Sequence, residues 1–128
     1  MNRGQPLLSW QWSLYPDNHR ARRNLLLHIL TVPLFQAGGL AILIAPFVSY
    51  WLVLGGVVAM AVAMALQGVG HRGEAVAPVP FAGPFDAISR IFVEQWITFP
   101  RYVSSGRFAT RWRAEPESAK AVTPDRRA

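Results

Sequence analysis

The side chains best suited to chemistry are three histidines, His19, His28 and His71, and two of them belong to polar groups with helical spacing. Asn24 lies four residues before His28 and Thr31 three after it, while Gln67 and Glu74 flank His71 in the same way. On a helix each group shares one face. Three neutral imidazoles with a nearby carboxylate would suit a non-haem Fe(II) or zinc centre with open positions, able to bind O₂ or activate water. The same residues would also serve as plain hydrogen-bonding groups between helices. Haem ligation by paired histidines is a weaker use, because His28 and His71 are offset in depth. The chain has no cysteine, which excludes disulfides, thiolate zinc sites and iron–sulfur clusters. His19 precedes His28 by nine residues, so one continuous helix would put it on the opposite side. It becomes a ligand only if the chain bends between them, for example where Tyr15-Pro16-Asp17-Asn18 starts the segment.

The elements that must position these residues are apolar. From Asn24 to Gly70 there are 47 consecutive residues without Asp, Glu, Lys or Arg. That is roughly twice the length needed to cross a bilayer core once, so the block is expected to form two crossings. Ala45-Pro46-Phe47 is the natural break, giving spans over 25–45 and 47–66, with Tyr50 and Trp51 suited to an aromatic belt. Gly38-Gly39 and Gly55-Gly56 fall at nearly the same depth on either side of the turn. Small residues so placed would let the two backbones approach closely, although glycine is also simply common in such helices. His28, Gln67 and His71 lie about 18, 20 and 24 residues from the turn, so the two polar patches should meet at one membrane surface.

A net charge of +6 and a pI near 11.1 would by themselves suggest a nucleic-acid partner. The position of the charges argues otherwise. Residues 1–23 carry a net +3 and residues 71–128 another +3, flanking the uncharged block. By the positive-inside rule both termini are expected in the cytoplasm, with the chain integral to a bacterial inner membrane. A cleavable signal peptide fits poorly, since the apolar region is too long and a second span follows. No nucleic-acid-binding motif is present.

After the hairpin, Gly73–Pro84 reads as a loop. Phe85, Ile88, Ile91, Phe92, Trp96 and Phe99 then recur at helical spacing, with Asp86, Arg90 and Glu94 on another face. An amphipathic helix over 85–99 is predicted, either lying along the cytoplasmic leaflet or packing on the hairpin. The tail over 114–128 has a disordered composition. The expected architecture is therefore all-α: a single membrane domain over 1–113 with two transmembrane helices, an amphipathic interfacial helix and a disordered tail. Arg101, Arg107, Arg111 and Arg113, interleaved with Tyr102, Phe108 and Trp112, would suit anionic headgroups or simply mark topology. A non-enzymatic hairpin that binds anionic lipid or scaffolds a partner is thus a second functional class, and either class is compatible with a homo-oligomer.

The stretch Tyr15…His19-x4-Asn24-x3-His28-x4-Pro33-Leu34, followed by Gln67-x2-Gly70-His71-x2-Glu74, resembles a family of small membrane proteins that includes an Fe(II)-dependent 2-hydroxy fatty acid dioxygenase. The motifs cover roughly 30 of 128 residues, and the C-terminal part is similar to the family's short bacterial members. The resemblance implies a metal centre at His19, His28 and His71, with Glu74 as carboxylate and Asn24, Gln67 and Tyr15 in support. It implies α-oxidation: a fatty-acyl substrate and O₂ would give CO₂ and an acid one carbon shorter, with Fe(II) as cofactor. Arg72, Arg22 or Arg23 would then hold the substrate carboxylate. Thr31 stands where the family usually has glycine.

Overall fold

The structure is a computed structural model that describes residues 4–114. The predicted disorder of the tail concerns residues that, from 115 onward, lie outside the described ones. Regular structure among the described residues is helical throughout: α1 (Leu7–Asn18), α2 (Arg22–Val48), α3 (Trp51–His71), α4 (Pro84–Val93), a π-helical turn (Glu94–Thr98), α5 (Phe99–Ser104) and α6 (Arg107–Arg113). The all-α expectation holds, and α2 and α3, of 27 and 21 residues, are long and apolar enough to cross a membrane.

The turn falls later than the predicted break at Ala45-Pro46-Phe47, so α2 is longer than the first predicted span and α3 is shifted toward the C-terminus of the second. Helix α2 runs through Pro46 to Val48, and the turn is made by Ser49, in extended conformation, and Tyr50. Pro46 removes one donor, and only two residues of helix follow it, so the disturbance is confined to the last turns of α2. At the other end α3 continues to His71, which puts Gln67 and His71 on regular helix. The hairpin crosses at one glycine from each pair. A Cβ on Gly38 would lie 2.7 Å from the Gly56 carbonyl oxygen, and one on Gly56 would lie 2.5 Å from that of Gly38. Backbones this close exclude any side chain. Gly55 faces open space and Gly39 faces Trp96, so neither contributes to the crossing.

Helix α1, absent from the sequence-based expectation, packs across the C-terminal helices. Gln11 donates from Nε2 to the Arg90 carbonyl at 2.9 Å, and the rings of Tyr15 and Tyr102 lie 5.1 Å apart. Tyr15, Leu25, Val32, Phe99 and Tyr102 form a small apolar core where α1, α2 and α5 meet. The predicted helix over 85–99 becomes α4, the π-turn and α5, which carries the chain past Pro100 to Ser104. It packs on the hairpin with its polar side inward. Gln95 and Thr98 are fully buried and Arg90 nearly so, whereas Phe85 and Ile88 are 88% and 58% exposed.

Candidate metal centre

Three separate elements bring the histidines together. Helix α1 ends at Asn18 and α2 begins at Arg22, so the chain bends at His19 instead of continuing as one helix. That bend supplies the geometry His19 needs. His28 lies on the second turn of α2, and His71 is the last residue of α3. The three rings stand edge to face, with centroids 4.6 to 5.0 Å apart. The fourth member is Glu94, the first residue of the π-turn. One ligand atom from each of His19, His28, His71 and Glu94 lies within 4.8 Å of the others, and the group could hold a metal ion.

The hydrogen bonds around the rings fit that use. His19 Nδ1 bonds the Tyr15 carbonyl and His28 Nδ1 the Asn24 carbonyl, each at 3.0 Å. A carbonyl only accepts, so both protons sit on Nδ1 and a neutral ring turns the Nε2 lone pair inward. The two Nε2 atoms are 3.3 Å apart, and each lies 3.5 Å from Glu94 Oε1. Metal ligands around one ion are typically about 3–3.5 Å from each other. Three electron-rich atoms at this separation repel one another unless a proton or a metal ion lies among them. Glu94 Oε1 is buried and has no hydrogen-bond donor, as expected of an oxygen that serves a metal.

The electrostatics agree. Burial favours the neutral ring of His19 and lowers its pKa, although Glu94 partly opposes this. Burial would raise the Glu94 pKa, but the hydrogen bonds and positive charge that the His19 and His28 rings offer when protonated outweigh it and hold the carboxyl well below its usual range. The cluster thus offers a carboxylate beside imidazole nitrogen. Tyr15 stacks on His19 with centroids 3.9 Å apart and fixes the ring plane. The Tyr15 hydroxyl is buried, and desolvation followed by the Glu94 charge raises its pKa.

Glu74, expected as the metal carboxylate, has a different task. Its oxygens accept from the backbone N–H groups of Arg20 and Ala21 at 3.0 and 3.1 Å and from Asn24 Nδ2 at 2.7 Å. Ala21 caps α2 with no side-chain cap of its own, so Glu74 supplies an acceptor and negative charge to that helix start. With its oxygens so engaged it stands outside the cluster. Asn24 relays the contact, lying 3.5 Å from His71 Nδ1, and Gly70 leaves the space its side chain fills. Gln67 is likewise in support: it donates to Thr31 Oγ1 at 3.0 Å and exchanges hydrogen bonds with Gln95 at 3.0 and 2.7 Å. Gln36 completes the brace by donating to the Gln95 carbonyl at 2.8 Å, in the π-turn. Such turns often mark functional sites, and this one holds Glu94 against the histidines.

A cavity of about 360 Å³ opens beside the cluster, lined by His19, His71 and Glu94 together with Trp10, Leu14, Met64, Phe81 and Arg90. Arg72 and Arg23 are exposed and Arg22 donates to the Ala114 carbonyl at 3.1 Å, and none of the three lines this cavity. The arginine at the cavity is Arg90, whose guanidinium donates to the Val79 and Pro80 carbonyls and lies over the rings of Trp10 and Phe81. Glu94, Gln95 and Arg90 are the site residues that sequence reasoning missed. The available signal was the stripe Arg90, Glu94, Gln95, Thr98, whose spacing places four polar side chains on one face of an otherwise apolar helix.

No family model, curated protein or solved structure matches this chain.

Proposed function

We propose that this chain is an integral membrane enzyme, an Fe(II)-dependent dioxygenase of 2-hydroxy fatty acids, with both termini and the metal centre on the cytoplasmic side of a bacterial inner membrane. The observation that carries the reading is the convergence of His19, His28, His71 and Glu94 beside a largely apolar cavity at one end of two helices able to span a bilayer. The exposed apolar surface of those helices supports membrane insertion: Leu43 and Leu30 are 68% and 63% exposed, surface that water would penalise and lipid would not. A non-enzymatic hairpin would have no use for the inward-facing nitrogen atoms or for the cavity beside them.

The reaction balances without an external reductant. A 2-hydroxy acid and O₂ give the acid one carbon shorter, CO₂ and water; the bond between carboxyl carbon and C2 breaks, and the substrate supplies all four electrons that O₂ takes up. Bound Fe(II) would supply the O₂ chemistry that side chains alone cannot. The chain's own residues do the rest. Trp10, Leu14, Met64 and Phe81 would give the acyl chain an apolar wall and keep water away, while Arg90, which also pairs with Asp86 at 3.4 Å, is the basic side chain at the same cavity that would face the carboxylate. Tyr15 and the Asn24 carbonyl hold the imidazole planes, and Glu74 holds the bend that brings His19 round to His28.

The test is O₂-dependent formation of a chain-shortened acid from a 2-hydroxy fatty acid by purified, iron-loaded protein. Product should disappear in His28→Ala and His71→Ala. Equal product from these variants, or none from the iron-loaded wild type, contradicts the proposal.

A further inference from the structure

Helix α4 and the π-turn are inside out by the standards of a water-soluble protein. The polar stripe is turned inward and used: Gln95 bonds Gln67 and Gln36, Arg90 bonds the 79–80 carbonyls, and Thr98 is buried. The apolar side, Phe85, Ile88, Phe92, Trp96 and Ile97, faces outward. This helix also reaches well down the hairpin. The Phe92 ring meets Phe35 at 5.6 Å, and Trp96 lies against Gly39, eleven residues beyond His28, or about 16 Å along α2. Next to that contact α2 itself exposes Leu40 and Leu43, so the outward face of α4 adjoins an apolar surface already suited to lipid. The other end changes character. Arg101 and Arg107 lie over the Trp12 ring at 4.2 and 4.8 Å, the basic and aromatic chemistry that suits an anionic headgroup layer.

We infer that the face Phe85–Ile88–Phe92–Trp96 is a lipid-contact surface: α4 and the π-turn are immersed in the acyl-chain region of the leaflet, with Arg101 and Arg107 at the headgroups. The inference rests on the hairpin spanning the bilayer, and its occupant is bilayer lipid, not a second copy of the chain. The immersion places Glu94 and its cavity below the headgroup level, where an amphiphile reaches the cavity without leaving the membrane.

Because the chain has no cysteine, single substitutions report cleanly. Phe85→Cys and Phe92→Cys, with Leu43→Cys as hairpin reference and Ser104→Cys as exposed reference, are spin-labelled in the full chain. Each variant is placed at one copy per nanodisc of phosphatidylcholine and phosphatidylglycerol. Labels at 85 and 92 should match the label at 43, with easy access for O₂ and about tenfold less access for a polar nickel chelate than at 104. Nickel access at 85 and 92 equal to that at 104, with 43 still lipid-like, overturns the immersion and leaves the spanning hairpin intact. If 43 is also water-like, the membrane reading falls with it. Labels at 85 and 92 shielded from both reagents, or broadened by a second copy in vesicles, would mean protein covers the face, which also overturns the inference.

Discussion

The two ends of the α2–α3 hairpin are built on opposite principles. Near its middle and toward the turn, the helices meet through the mutual approach of Gly38 and Gly56, with no side-chain hydrogen bond between them there. At the other end the contact is almost entirely polar: Thr31, Gln67, Asn24 and His71, tied to Glu74, Gln95 and Glu94. The first contact needs shape alone, which glycine provides at no desolvation cost. The second needs every partner present, because polar groups among apolar helices are costly unless satisfied. Packing is therefore expected to govern the glycine crossing, and chemistry the polar end.

Substitutions can break that division. The largest effect is expected for His28→Ala, which removes a fully buried candidate ligand: metal affinity should fall by more than about 100-fold, read by competition with a chelating dye. Retained affinity would mean that the polar end is only structural. Gly56→Leu should next cost about 1–3 kcal/mol, since its side chain meets the Gly38 carbonyl and Ile42, and thermal unfolding in detergent would measure it. Glu74→Ala strips the acceptor from the start of α2 and should destabilise by about 1–3 kcal/mol, with metal affinity reduced no more than about tenfold. Gly55→Leu sharpens the comparison from the other side. It adjoins Gly56 but faces open space, so its effect should stay within about 0.5 kcal/mol. An equal loss from both glycine variants would show that the crossing is not the critical contact.

Much of this was legible in the sequence. The uncharged block from 24 to 70 gives the hairpin, and the matched spacings around His28 and His71 give the meeting of two polar faces. The bend at His19 was legible only as a condition, because the residue that holds it, Glu74, acts across more than fifty positions of sequence. Glu74 and Glu94 are the instructive pair. Proximity in sequence to His71 favoured Glu74, yet a helix start without a side-chain cap takes it first, which local spacing does not reveal. Glu94 falls, by spacing, on the polar face of an amphipathic helix. Periodicity identifies a polar stripe but not the direction it faces, and against two apolar helices the stripe turns inward. The π-turn was invisible for the same reason: its widened backbone answers to Gln36 and Gln67, contacts made across the fold.

The central claim is that the metal carboxylate is Glu94 and not Glu74. It is tested most directly by metal analysis of the purified chain beside Glu94→Gln and Glu74→Gln. The wild type and Glu74→Gln, which keeps an acceptor oxygen for α2, should retain stoichiometric metal, while folded Glu94→Gln should lose most of it. A metal-free wild type after iron loading, or metal lost from Glu74→Gln and kept by Glu94→Gln, would contradict the account.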